Sequence, residues 1–275
     1  MELGIQPSKF IQVSSDQWEI IQGASITESA VSLTVNGVVW LTFMCTPVDL
    51  EALAAGFLFN EGLIQTRQDI ADIRVCPDNE NIDVWLNQGI QKPDLWRRTS
   101  GCTGGVTRIS NSDSDEKPVF PLTNGGVITA GQINHLVGQL YQEQTLYRQS
   151  GGVHTSAISD GNQLCLVAED VGRHNTLDKL AGKLLFQDSI LPRRIILTTG
   201  RISSEMLQKA YRLVAPVVIS RTAATSLSIE MAQQWGMTLI GYARRDRFNI
   251  YTHPERVLRS HLLSTEEVQH AKTNL

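Results

Sequence analysis

The chain has 275 residues, with 28 acidic and 24 basic side chains and a formal net charge of -4. That is an ordinary globular composition, long enough for two cores. The acidic balance weighs against general nucleic-acid binding, and no run of about eighteen apolar residues offers a membrane-spanning helix.

Met1-Glu2-Leu3-Gly4-Ile5-Gln6-Pro7 lacks the basic and apolar regions of a signal peptide, which points to a cytoplasmic protein. Val31 to Met44 reads as a β-hairpin, because Asn36-Gly37 supplies the turn between two alternating, β-branched runs. Thr46-Pro47 then reads as a helix start, with Thr46 as N-cap and Pro47 in the first position. Leu50, Leu53, Ala54, Phe57 and Leu58 continue it at helical spacing as far as Glu61-Gly62, and Ile82–Leu86 is a short strand. Ser110 to Lys117 is polar and acidic, an exposed loop and a candidate boundary between a mixed β/α domain, 1–115, and an α/β domain, 116–275. Thr129 and Gln132 form a capping-box signature, followed by Ile133, Leu136, Val137, Leu140 and Tyr141 on one helix face.

From Val153 strands and helices alternate. Strands are predicted over Val153–Ile158, Gln163–Ala168, Arg194–Thr199, Pro216–Ser220 and Met237–Tyr242. Helices are predicted over His174–Phe186, Ser204–Leu213 and Ala224–Trp235. The fold class is therefore α/β, with an α+β N-terminal part and a mostly parallel later sheet. Asp160-Gly161-Asn162 is a tight turn, so the first two of these strands should be antiparallel.

Ligands of open α/β sheets bind beyond the carboxyl ends of the strands. Those ends read Thr198-Thr199-Gly200-Arg201, Ser220-Arg221-Thr222 and Tyr242-Ala243-Arg244-Arg245-Asp246-Arg247. Hydroxyls, arginines and helix starts together suit phosphate. Glu169-Asp170-Val171-Gly172-Arg173-His174 also follows a strand and opens a helix; it reads either as a capping cluster or as a group in which His174 moves a proton and Arg173 holds an anion. His154 could face the same crevice. His154 is followed by Thr155-Ser156 rather than by x-Glu, and no C-x-x-C pair, no G-x-S-x-G and no P-loop is present, so no metal site of its own is expected.

Cys45, Cys76, Cys102 and Cys165 are widely spaced. Apolar neighbours make Cys45 and Cys165 buried thiols by expectation, and Cys76 an inert strand end. Cys102 differs. It lies in Arg97-Arg98-Thr99-Ser100-Gly101-Cys102-Thr103-Gly104-Gly105, where no apolar period surrounds it and two arginines would favour the thiolate. The stretch reads either as a flexible surface loop or as a carrier of a mobile nucleophilic sulfur.

With these runs in view the chain resembles the FdhD family, the accessory sulfur carriers of formate dehydrogenase. The resemblance rests on Asp49–Leu58, Glu61-Gly62-Leu63-Ile64, Ser100-Gly101-Cys102, Gly151-Gly152-Val153-His154, Glu169 through Lys179, and Tyr251-Thr252-His253-Pro254. It implies a sulfurtransferase that receives sulfur from a cysteine desulfurase as a persulfide on Cys102. The recipient it implies is the molybdenum (or tungsten) of a bis-molybdopterin guanine dinucleotide, bound as client along Tyr242, Ala243, Arg244, Arg245, Asp246 and Arg247. It also implies a C-terminal three-layer domain similar to the cytidine-deaminase fold without zinc. By position Arg201, Arg221 and Thr222 join the cofactor-binding set, with His154, Arg173 and His174 lining the crevice. A homodimer is expected by analogy with the two halves of the cofactor. Familiar members carry C-x-x-C in the loop, whereas here Cys102 stands alone, and the segment at 242–247 is richer in arginine and lacks their Pro-Gly turn. A non-covalent cofactor chaperone and a nucleotide-binding regulator are the competing readings.

Overall fold

The structure, a computed structural model, describes residues 4–93, 96–98, 106–108, 127–187, 191–244 and 246–259. The acidic stretch Ser110–Lys117, the boundary at 115/116, Cys102 and Arg245 lie outside the described residues.

The chain opens with a long hairpin, β1 (Ile5–Ser14) and β2 (Gln17–Ile26), that sequence reasoning did not find. Next come β3 (Ser29–Val35) and β4 (Val38–Cys45), joined as expected at Asn36-Gly37, where both residues have positive φ. Helix α1 (Leu50–Asn60) leads to β5 (Ile70–Val75) and β6 (Asn81–Leu86). These strands form a four-stranded sheet in the order β4-β3-β6-β5, with α1 filling its inner face through Leu53, Phe57 and Leu58. Two short strands, β7 (Trp96–Arg98) and β8 (Val106–Arg108), pair with each other.

The second sheet is six-stranded. After β9 (Ile128–Thr129), α2 (Ala130–Gln142) and α3 (Thr145–Ser150) come β10 (His154–Ser159), β11 (Leu164–Asp170), α4 (Arg173–Phe186), β12 (Ile195–Thr198), α5 (Ser204–Arg212), β13 (Val217–Ser220), α6 (Ser226–Gln234), β14 (Thr238–Arg244) and β15 (Arg247–Ile250). A last strand, β16 (Val257–Leu258), runs parallel to β9. The sheet order is β11-β10-β12-β13-β14-β15. Strands β12, β13 and β14 are parallel, while β10, β11 and β15 run antiparallel to their neighbours. Alternation along each strand splits the core in two. Ile158, Ile196, Val218 and Leu239 meet residues of α4, α5 and α6 on one face, and Ala157, Leu197, Ile219 and Ile240 meet α2 on the other. The C-terminal part is therefore three-layered. No helix among the described residues is long and apolar enough to cross a membrane.

Helix α4 joins the two sheets. Every residue from Arg173 to Gly182 is buried, because α1 covers the side that the sheet does not. The two helices touch through glycines: a Cβ on Gly56 would lie 1.7 Å from Asp178 O, and one on Gly182 would lie 1.9 Å from Ala52 O. Here glycine is required by close approach.

Two local expectations are corrected. Thr46 does not cap α1, which begins at Leu50 after Asp49 in a left-handed conformation. Tertiary partners take Thr46 instead: its N–H donates to Asp170 Oδ2 (3.1 Å), its Oγ1 accepts from Val171 N–H (3.2 Å), and its carbonyl accepts from Lys179 Nζ (3.1 Å). Cys165 is only partly buried, because β11 is the edge strand of its sheet among the described residues. Cys45 is buried, and burial pushes its thiol up to about 12, so it stays protonated at neutral pH.

Candidate functional site

Because β12, β13 and β14 are parallel, Thr198, Ser220 and Arg244 finish at one edge of the sheet. Strand β10 runs the other way, so its first residue, His154, lies at that same edge, opposite Asp170 at the end of β11. Hydrogen bonds lock the loops above the edge. Arg221 N–H donates to Thr198 O (3.0 Å), Tyr242 N–H to Thr222 O (3.0 Å), Thr199 N–H to Thr155 O (2.9 Å) and Ser220 Oγ to Gly200 O (2.7 Å). Gly200 is needed for contact: a Cβ there would sit 2.9 Å from Arg173 Cβ.

Above this edge is a cleft of about 400 Å³ whose wall includes Tyr147, Gly152, His154, Thr199, Arg221, Thr222 and Arg244. A second hollow of about 310 Å³ shares Arg244 and adds Tyr242, Arg247 and Asn249. Arg221 is held over the Tyr141 ring, 3.9 Å from its centroid, which presents the guanidinium without neutralising it. Among the described residues, none of Arg201, Arg221, Arg244 and Arg247 forms an ion pair. Unpaired guanidiniums beside hydroxyls at strand ends make an anion-binding rim. Tyr242 sits on that rim with φ 52°, a strained conformation for an aromatic residue.

Burial and neighbouring charge set the state of His154. Burial, and then the Arg173 and Arg201 charges, pull its pKa below the usual imidazole value, so it is neutral at physiological pH. Its Nδ1 lies 3.5 Å from Thr199 Oγ1.

The other predicted residues fall elsewhere. Ala243 is buried in the core on the α2 side and offers only its backbone, while Asp246 is exposed in the turn before β15. Arg173 and His174, expected on the crevice wall, are buried in the first turn of α4. Burial, followed by the Lys209 and Arg173 charges, holds the His174 pKa down to about 3. Glu169 is a structural acceptor, taking N–H bonds from Leu146 (2.7 Å) and Tyr147 (3.1 Å) at the start of α3. Asp170 binds Lys179 (2.6 Å), Asn175 Nδ2 (2.8 Å) and Gly172 N–H (2.7 Å). The motif is a buried polar junction rather than a helix cap: the N-cap of α4 is Gly172, with no side-chain capping bond, and the carboxylates tie α4 to β4 and α3.

Sequence reasoning assigned neither Tyr141 nor Tyr147 to the site, whereas Thr199 falls in a strand end it had read as a ligand edge. Tyr141 read as one more apolar face position of α2, and nothing local announced that it would support Arg221, just after β13. A larger, mostly apolar hollow of about 510 Å³ lies beside α3, walled by Val48, Leu146, Val167 and Lys183, and holds none of the rim arginines. No cluster of three or more His, Cys, Asp or Glu among the described residues is placed to hold a metal ion.

The FdhD/NarQ family profile matches residues 26–258. The chain belongs to the FdhD/NarQ family. Within the family it is 33% identical to the sulfur carrier protein FdhD of Bacillus subtilis (strain 168) over 249 residues, 88% of this chain and 94% of that protein. It is 31% identical to the sulfur carrier protein FdhD of Staphylococcus haemolyticus, covering 92% of this chain and 97% of that one. A solved structure, titled as that of a "putative formate dehydrogenase accessory protein" from Desulfotalea psychrophila, aligns with a TM-score of 0.76 at 27% identity, over 93% of this chain and all of the other.

Proposed function

We propose that this chain is a sulfur carrier for formate dehydrogenase, loading sulfur on Cys102 and delivering it to a bis-molybdopterin guanine dinucleotide held at the strand-end rim. The names of its relatives support the sulfur-carrier role. The observation that carries the cofactor part is the convergence of Arg221, Arg244 and Arg247 with Thr199 and Thr222 around two adjoining hollows. That donor set fits a diphosphate, with guanidinium forks for the oxygens and hydroxyls for the remaining lone pairs. The bound client supplies the metal that accepts the sulfur.

In the loading step the Cys102 thiolate attacks the terminal sulfur of a cysteine desulfurase persulfide. A new S–S bond forms on Cys102, the donor's S–S bond breaks, and its electron pair leaves on the donor cysteine as thiolate. Releasing that sulfur as sulfide consumes two electrons. A thiol supplies them by forming a disulfide with Cys102, and since the loop holds one cysteine this thiol comes from outside it. Neutral His154 is placed at the rim to accept or return a proton.

Two measurements test the reading. Calorimetric titration with guanosine diphosphate should show binding that falls about tenfold, on the order of 1.4 kcal/mol, in Arg221→Ala and again in Arg244→Ala. In cells lacking their own carrier, the wild-type chain should restore formate dehydrogenase activity and Cys102→Ala should not. Restoration by Cys102→Ala would replace sulfur transfer with non-covalent cofactor chaperoning.

A further inference from the structure

The described arginines of the rim are not equivalent. Arg201, Arg244 and Arg247 are exposed, and among the described residues none of them lies against an aromatic ring. Arg221 is half-buried and has the Tyr141 ring beneath its guanidinium at 3.9 Å. Its backbone is pinned on both sides: Arg221 N–H donates to Thr198 O (3.0 Å), and Thr222 N–H donates to Ser220 Oγ (3.0 Å). Arg221 Nε is buried without a hydrogen-bond partner, and no described group bonds the two Nη atoms, so the Nη1–Nη2 edge is what remains for a ligand.

The support under Arg221 is itself fixed. Leu136, Val137 and Leu140 of α2 are buried against the second sheet, and the capping box at Thr129 and Gln132 holds the start of the helix. Tyr141 follows in its last turn, with no hydrogen bond to its hydroxyl among the described residues. What it offers Arg221 is therefore the face of the ring alone.

We propose that Tyr141 is a positioning residue that pre-sets the plane of the Arg221 guanidinium, so that Arg221 anchors a phosphoryl group by geometry while Arg244 serves it as an adaptable charge. The proposal rests on the diphosphate reading of the rim and adds which of its arginines has to be an arginine. A carboxylate in place of the ring would hold Arg221 too, but it would neutralise the cation and occupy its fork. The ring attracts the cation through its quadrupole and leaves the fork free. The freedom that a long side chain loses on gripping a ligand is already lost here before the ligand arrives. Lysine has neither the plane that stacks nor the fork that grips two oxygens. Arg244 has no such support; it lies where the two hollows meet and needs only to bring a positive charge near the ligand.

Calorimetric titration with guanosine diphosphate, at one salt concentration, tests the assignment on the full chain. Tyr141→Leu should weaken binding about fivefold, and Tyr141→Phe, which keeps the ring, should stay within about twofold of wild type. Arg221→Lys should lose about as much as Arg221→Ala, roughly tenfold, whereas Arg244→Lys should lose no more than about threefold. Added to Arg221→Ala, Tyr141→Leu should cost nothing further, because its effect runs through that guanidinium. A readout without ligand separates positioning from general damage: the δ-methylene protons of Arg221 should carry an upfield ring-current shift in the nuclear magnetic resonance spectrum. That shift should persist in Tyr141→Phe and vanish in Tyr141→Leu, with the circular dichroism spectrum unchanged in both. Tyr141→Phe as weak as Tyr141→Leu, Arg221→Lys as good as wild type, additive losses in the double variant, or no shifted signal in the wild type would each overturn the proposal. Absence of guanosine diphosphate binding by the wild type would instead overturn the reading of the rim on which it rests.

Discussion

Two polar regions of this protein do opposite work. Under α4, Asp170, Asn175, Asp178, Lys179 and Lys209 are buried and matched: Lys179 meets Asp170 at 2.6 Å, and Lys209 meets Asp178 at 2.5 Å. At the sheet edge, Arg221, Arg244 and Arg247 are partly or fully exposed and have no ion-pair partner among the described residues. The first region stabilises the junction of the two sheets. The second leaves charge available to a ligand. Residue type does not separate them; burial and the count of partners do.

The comparison breaks most sharply at Asp170. Asp170→Ala leaves the fully buried Lys179 ammonium without its counter-ion, and denaturant unfolding should show a loss of about 3–5 kcal/mol or failure to fold. Next is Gly56→Ala, whose methyl would collide with Asp178 O; forcing α1 from α4 should cost about 3 kcal/mol and lower the melting temperature. Third is His174. With a folded pKa near 3 and an ordinary unfolded value, the unfolded chain binds more protons between those limits, so stability falls as pH drops. Between pH 6.5 and pH 5 the wild type should lose on the order of 2 kcal/mol through this group, and His174→Gln should remove that component of the slope. Smallest in stability is the rim: Arg244→Gln should shift it by less than about 0.5 kcal/mol while weakening guanosine diphosphate binding. A rim variant as destabilising as Asp170→Ala would erase the distinction.

Much of the frame was legible because it obeys local rules. Asn36-Gly37 folds its hairpin, the Thr129–Gln132 box starts α2 with Thr129 Oγ1 accepting Gln132 N–H at 3.1 Å, and the strand–helix alternation after Val153 matches the second sheet. The placing of strand ends together followed from that alternation. What escaped was decided over long range. Thr46 carries every mark of an N-cap, yet Asp170, 124 residues away, takes its N–H. The arm turns at Ser15-Asp16 without glycine, and its strands have no core to impose alternation, so neither a turn nor a burial pattern gave it away. Tyr141 comes under the Arg221 guanidinium, and Tyr147 reaches the cleft wall, only through the way α2 and α3 pack against the second sheet.

The most direct test of sulfur carriage is the intact mass of the protein after incubation with a cysteine desulfurase and L-cysteine, for wild type and Cys102→Ala. A reducible adduct of one sulfur on the wild type, about 32 Da, absent from the variant, is the predicted result. An unmodified wild type, with the same desulfurase active on a control acceptor, would contradict the account.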